Sequence, residues 1–198
     1  TETGKHHAFR VLRPGLRNDP IWRRRMQRGA RLACKITGIL PVQSETEGEW
    51  PRLFSALPGS RLSDLLPVED LPDALQMARF LAGGLKGLKG LQEVGLVHGN
   101  IRPDKLFLSH DGAALLWLDP FLETPGSLKQ DLSALGAAVA QLDPNCVDSI
   151  GALAHSWVDN PPPSLAMAQE VLMRTMASLL AHNRHHMLMR SRHVNARQ

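Results

Sequence analysis

A chain of 198 residues, 43% of them hydrophobic, has material for one domain or two small lobes around a buried core, which excludes global disorder. Its formal charge of +4, with nine His besides, comes from arginines gathered near the two ends; a solvated helix face is the commoner meaning of such runs, an anionic partner the sharper one. The two cysteines, Cys34 and Cys146, are far apart and support no disulfide framework, so a reducing compartment fits, and neither a signal peptide nor a run of about 18 apolar residues is present.

In chain order, Thr3-Gly4-Lys5 reads as a turn and Ala8 to Leu12 as a strand, ended by Arg13-Pro14-Gly15. Asn18-Asp19-Pro20 opens a helix to about Ile36, with Asp19 as cap and Pro20 in the first position. Trp22, Met26, Ala30 and Ala33/Cys34 recur at helical spacing as its apolar face; Arg24, Arg28 and Arg31 recur the same way on the polar face. Ser63 to Leu66 reads as a short helix. Pro72 opens a long one to about Val94, with Leu75, Ala78, Leu81, Leu85, Leu88 and Leu91 as its buried stripe. Gly83, Gly84, Gly87 and Gly90 lie inside it, each costing about 1 kcal/mol relative to alanine, so tertiary packing must hold it, a close neighbour being one way.

Residues 97–119 organise the chain. Val97 to Lys105 is a loop that Pro103 keeps out of a helix. Asp111-Gly112, between the apolar runs Leu106–Leu108 and Ala114–Leu118, is a two-residue hairpin signal. The tail is basic: Arg184, Arg190, Arg192 and Arg197, with His182, His185 and His186 at a spacing that allows one helix face. No acidic or Cys ligand accompanies these histidines, so no metal site is assigned.

The frame His98-Gly99-Asn100-Ile101-Arg102-Pro103-Asp104-Lys105, followed by a hairpin ending in Asp119-Pro120-Phe121, resembles the catalytic loop and metal-binding hairpin of protein kinases, H-R-D-x-K-P-x-N and D-F-G. The chain resembles bacterial Ser/Thr kinases of the Hanks type over about residues 3–180. The resemblance puts Arg10 at the phosphate-binding lysine of the third strand and residues 20–36 at the αC helix, with Gly29 where the paired glutamate would lie. It makes Leu40-Pro41-Val42 the start of the fourth strand, Glu45–Glu49 its polar turn, and Arg52–Gly59 the fifth strand and hinge, with Phe54 as gatekeeper. Gln130 to Gly136 resembles the start of αF, whose aspartate, here Asp131, ties down the catalytic-loop backbone. Leu153 to Leu180 resembles the last helices, broken at Asp159–Pro163. About ten residues before Gln130 are too few for an activation loop and an A-P-E motif.

The implied fold is α+β and protein-kinase-like: a reduced N-lobe of a few strands plus αC over residues 1–58, a mainly helical C-lobe with a shortened activation segment over 59–181, and a basic His/Arg-rich tail over 182–198. The implied function is that of a pseudokinase, a non-catalytic scaffolding or allosteric module in bacterial signalling. Asn100 replaces the catalytic aspartate, Lys105 the metal-binding asparagine and Arg102 the loop lysine; His98 and Asp119 keep their motif identities. ATP and Mg²⁺ binding is expected to be absent or very weak, with no small-molecule substrate. A protein partner or self-association is expected, with Arg24, Arg28 and Arg31 as the contact face; nucleic acid is not expected. The implied location is cytoplasmic, either free or near a membrane through a C-terminal extension outside this chain. The rival expectation is an atypical phosphotransferase or nucleotide-dependent switch using Asp119, Arg10 and Arg102.

Overall fold

A computed structural model describes residues 7–11, 14–16, 18–47, 50–56, 59–66, 73–109, 113–118 and 126–195; the strands of its first sheet and residues 183–195 are described through their backbone. The architecture is mixed α+β. Strands β1 (His7–Val11), β2 (Gln43–Glu47) and β3 (Trp50–Ala56) form an antiparallel sheet in the order β1-β3-β2. Strands β4 (Gly59–Arg61), β5 (Leu106–Ser109) and β6 (Ala114–Leu116) form a second, in the order β4-β5-β6. Among the described residues there are also five α-helices: α1 (Pro20–Ala33), α2 (Ala74–Glu93), α3 (Leu128–Ala140), α4 (Ser149–Asp159) and α5 (Leu165–Asn195).

Helix α1 begins as its cap residues dictate, the Asp19 carboxylate accepting the Ile21 N–H at 2.8 Å. It buries Met26, Gly29, Ala30 and Ala33 and stops there, short of Ile36. The chain turns instead at Gly38, whose φ of +82° is costly for any other residue, so Ile36 and Ile39 enter the core from a loop. That loop is sewn to the second sheet: the Leu116 N–H donates to Gly38 O at 3.0 Å and the Leu40 N–H to Leu116 O at 2.9 Å. Leu40-Pro41-Val42 is therefore not a strand of the first sheet. The polar run expected as a turn from Glu45 is strand to Glu47, with Glu45 opposite Arg52 and Glu47 opposite Trp50. As an edge strand of this sheet, β2 accepts polar residues that a central strand would not.

The β5–β6 hairpin pairs Leu106 with Leu116 and Leu108 with Ala114. The Ser109 N–H also donates to Ala113 O at 2.8 Å. Asp111-Gly112, the turn expected from the sequence, lies outside the described residues.

Helix α2 starts at Ala74 on the Asp73 cap. Ala78, Leu81, Leu85, Leu88 and Leu91 are buried as the spacing requires, but Leu75 is 40% exposed in the open first turn, and Met77 and Phe80 fill the core in its place. The buried arc is wider than one apolar stripe because the glycine side is covered too. A Cβ on Gly83 would meet Ala114 O at 2.3 Å; one on Gly90 would meet Ile36 Cγ2 at 2.5 Å. Gly83, Gly87 and Gly90 thus form a bed on which residues 36–39 and β6 lie, while Gly84 faces Leu135 of α3. No helix among the described residues is long and apolar enough to cross a membrane. Helix α5 runs without a backbone break through residue 182, where the sequence reading starts a separate tail.

Gly83→Ala tests the bed. Helix propensity alone would favour alanine by about 1 kcal/mol, but contact with β6 backbone should make the variant less stable by about 1–3 kcal/mol. Urea melts should show that loss, with exposed Lys86→Ala near neutral; a stabilised Gly83→Ala would contradict the packing.

Candidate functional site

The loop from His98 to Lys105 is built around one buried carboxylate. Asp131 lies in the first turn of α3, which starts on a Ser127 cap accepting the Gln130 N–H at 3.3 Å. It is only 2% exposed. Its Oδ2 accepts the His98 N–H at 2.8 Å and its Oδ1 the Gly99 N–H at 2.7 Å, so each oxygen holds one of two successive backbone donors. Two adjacent N–H groups converge in this way because Gly99 takes φ +69°, a conformation that disfavours side-chain-bearing residues.

His98 continues the network. Its Nε2–H donates to Trp117 O at 2.8 Å and its Nδ1 accepts the Asn100 N–H at 3.2 Å. Together these bonds define the neutral Nε2–H tautomer, since a proton on Nδ1 would face the Asn100 donor. Trp117 in turn donates its N–H to Lys105 O at 2.7 Å. One residue at the end of β6 therefore grips the loop at both ends, through its carbonyl at His98 and its N–H at Lys105.

These contacts show where the sequence-predicted residues fall. His98, Asn100, Arg102, Lys105 and Asp131 share one loop and the helix beneath it. Lys105 is 1% exposed, with its stem in the core. Arg102 is exposed and pairs with Asp104 at 3.2 Å, a surface pair of little energetic weight. Arg10 lies on β1 opposite Leu53, and Phe54 on β3 between Phe9 and Gln43. Gly29 is buried on α1, whereas Arg24, Arg28 and Arg31 are exposed along it. Asp119 lies outside the described residues.

Both Asp131 oxygens and both His98 ring nitrogens are engaged in holding backbone, and Asn100 brings a neutral amide, which has no basic lone pair for proton abstraction. Beside the loop, an open groove of about 550 Å³ runs between Ile101, Arg102 and the small residues Ala134 and Ala138 of α3.

A second buried carboxylate escaped the sequence reading. Asp143, 1% exposed, accepts the Val147 and Asp148 N–H groups at 3.0 and 3.1 Å, and Asp148 then caps α4 through Ile150 and Gly151. The turn places Cys146 at φ +52°, and a Cβ on Gly151 would sit 2.0 Å from Asp143 Oδ2. Nothing in a single sequence signals that this aspartate, before Pro144-Asn145, points inward.

Compared with models of known protein families and with curated protein sequences, the chain matches none.

Burial lifts the Asp131 carboxyl above its ordinary value of 3.8, against the opposing pull of the two backbone N–H groups of His98 and Gly99. The folded chain then keeps this proton where the unfolded chain has lost it. This titration's contribution is fully present below 3.8 and is lost as pH rises through the folded-state value. The stability difference between the wild type and Asp131→Asn should accordingly shrink as pH rises from the acid side toward neutrality; a difference that widens would contradict the direction. At neutral pH, Asp131→Ala strands two buried donors and should cost about 3 kcal/mol or more, against a minor loss for Asn100→Ala. Equal losses in denaturant melts would contradict the anchoring role.

Proposed function

We propose that this chain is a degenerate protein-kinase-like module, related to bacterial Ser/Thr kinases, that keeps the catalytic-loop scaffold without the catalysis and works by contact with a protein. The observation that carries the reading is the Asp131 clamp: a carboxylate at the start of α3 holding the backbone under the His98 frame, with a hairpin between the two in sequence. On this reading α1 takes the place of αC, α2 of the long C-lobe helix and α3 of αF.

Phosphoryl transfer needs a group to orient the attacking hydroxyl, a cation on the phosphates, and carboxylate and amide ligands for Mg²⁺. Asn100 stands where the first should be. Lys105 brings an amine to the position of a metal ligand, where it would oppose a bound cation rather than hold it. Arg10 and Gly29, in place of the lysine and glutamate of the usual ion pair, leave that pair without either member. Arg102 substitutes a planar fork for an ammonium, and the two differ in how they engage phosphate.

Millimolar ATP with Mg²⁺ should leave the thermal midpoint unchanged, and Asn100→Asp should not gain phosphoryl transfer. Saturable stabilisation by nucleotide, which any binding to the folded state must produce, would favour the rival reading of an atypical phosphotransferase or nucleotide-dependent switch.

The working surface on this proposal is the exposed row Arg24, Arg28 and Arg31, opposite the buried Met26, Ala30 and Ala33. The Arg24 Nε–H donates to Pro20 O at 3.2 Å, and the Arg25 guanidinium lies 5.0 Å from the Trp22 ring centroid, which braces the start of the helix. Arginine forks at helical spacing suit an acidic protein face, with bidentate pairing to carboxylates. Charge reversal of all three residues should leave the far-UV spectrum and melting midpoint intact while abolishing partner recovery. Retention of the partner by the triple variant would remove this surface from the proposal.

A further inference from the structure

Helix α5 carries two different apolar rows. One row faces the body: Leu165, Ala168 and Leu172 are buried, with Met176 packed beside them. The other begins one residue on, about 100° around the helix. Its members Met173 and Leu180 are 64% and 63% exposed, and the row continues in sequence at seven-residue intervals with Met187 and Val194. Because α5 is helical to Asn195, this row extends for about 30 Å along the axis.

The charge on the same stretch is one-sided. From Val171 to Gln198 the sequence contains no Asp or Glu, but it contains Arg174, Arg184, Arg190, Arg192 and Arg197. Arg174 is paired with Glu170 one turn back. For the other four, the sequence places no carboxylate within helical reach. A basic helix with an exposed apolar row fits an anionic surface, and three kinds are conceivable. A second copy would set arginine rows against each other with no carboxylate to neutralise them. An acidic protein groove would ordinarily take an aromatic anchor, and after Trp157 the chain has no Phe, Trp or Tyr. A lipid surface needs neither: methionine and leucine side chains enter the headgroup–acyl boundary while arginines stay among anionic headgroups.

We propose that the C-terminal half of α5 is a peripheral membrane-binding helix, lying on anionic lipid rather than crossing the bilayer. Apolar burial comes from the Met173–Leu180–Met187–Val194 row and the electrostatic attraction from Arg184, Arg190 and Arg192. This surface is separate from the arginine row of α1 and does not depend on the function proposed above.

Co-sedimentation of the full chain with phosphatidylcholine vesicles, with and without phosphatidylglycerol, tests it. Binding should require the anionic lipid and weaken as salt is raised. Replacing Arg184, Arg190 and Arg192 together with Gln should lower partitioning by about a hundredfold, at about fivefold per arginine. Leu180→Asp with Met187→Asp should abolish binding without altering the melting midpoint. Charge reversal of Arg24, Arg28 and Arg31 should leave vesicle binding at the wild-type level. The proposal is overturned if the folded chain ignores anionic vesicles, if the α1 variant rather than the α5 variants loses binding, or if α5 serves only self-association or an acidic protein.

Discussion

The Asp131 carboxylate holding two successive backbone N–H groups, His98 and Gly99, is the constraint on which the centre of this fold depends. A loop crossing the interior must satisfy its backbone donors, because each one left unpaired away from water costs about as much as a lost hydrogen bond. Asp131 satisfies two with one side chain, from a helix turn that lies 33 residues further along the chain than His98. The His98 ring then passes the constraint to Trp117, and Trp117 passes it back to Lys105. Helix α3, the loop and the hairpin are thus one cross-braced unit.

Close approach of backbone to backbone couples this unit to the rest. The glycine side of α2 receives β6 and residues 36–39, and those residues in turn hydrogen-bond to Leu116. A change at the end of α1 is therefore felt in the hairpin that carries Trp117, through contacts without slack for a methyl group. On the proposed reading this coupling is what a scaffold requires: a rigid body that presents α1 and α5 to partners while its former catalytic loop is reduced to a fixed support.

Much of this was legible in the sequence where local chemistry decides the outcome. Asp19-Pro20 fixed the start of α1, apolar spacing the buried side of α2, and the runs on either side of residues 110–112 the hairpin. Asp131 was singled out through the likeness of Gln130–Gly136 to a known helix start, not from any local pattern, since a lone acidic residue in a helical stretch reads as solvent-facing. What stayed hidden depends on tertiary partners. The end of α1 at Ala33 rather than Ile36 follows from where Gly38 must turn to meet β6. Glu45 and Glu47 read as turn residues because edge strands tolerate polar side chains that sequence patterns assign to loops. Leu75 fits the stripe by period but is 40% exposed in the first turn, and Asp143 is buried where Gly151 leaves it room.

The anchoring role of Asp131 can be tested most directly, without any mutation, by native-state amide hydrogen exchange at His98 and Gly99. Loop amides with weak or no partners exchange through local fluctuations at a small opening free energy, whereas donors that hold a cooperative unit together open only when that unit unfolds. These two amides should exchange as slowly as the buried amides of α2, with a denaturant dependence approaching that of global unfolding. Fast, denaturant-independent exchange at both, at the rate of exposed loop positions, would contradict the clamp and with it the unity of loop, hairpin and α3.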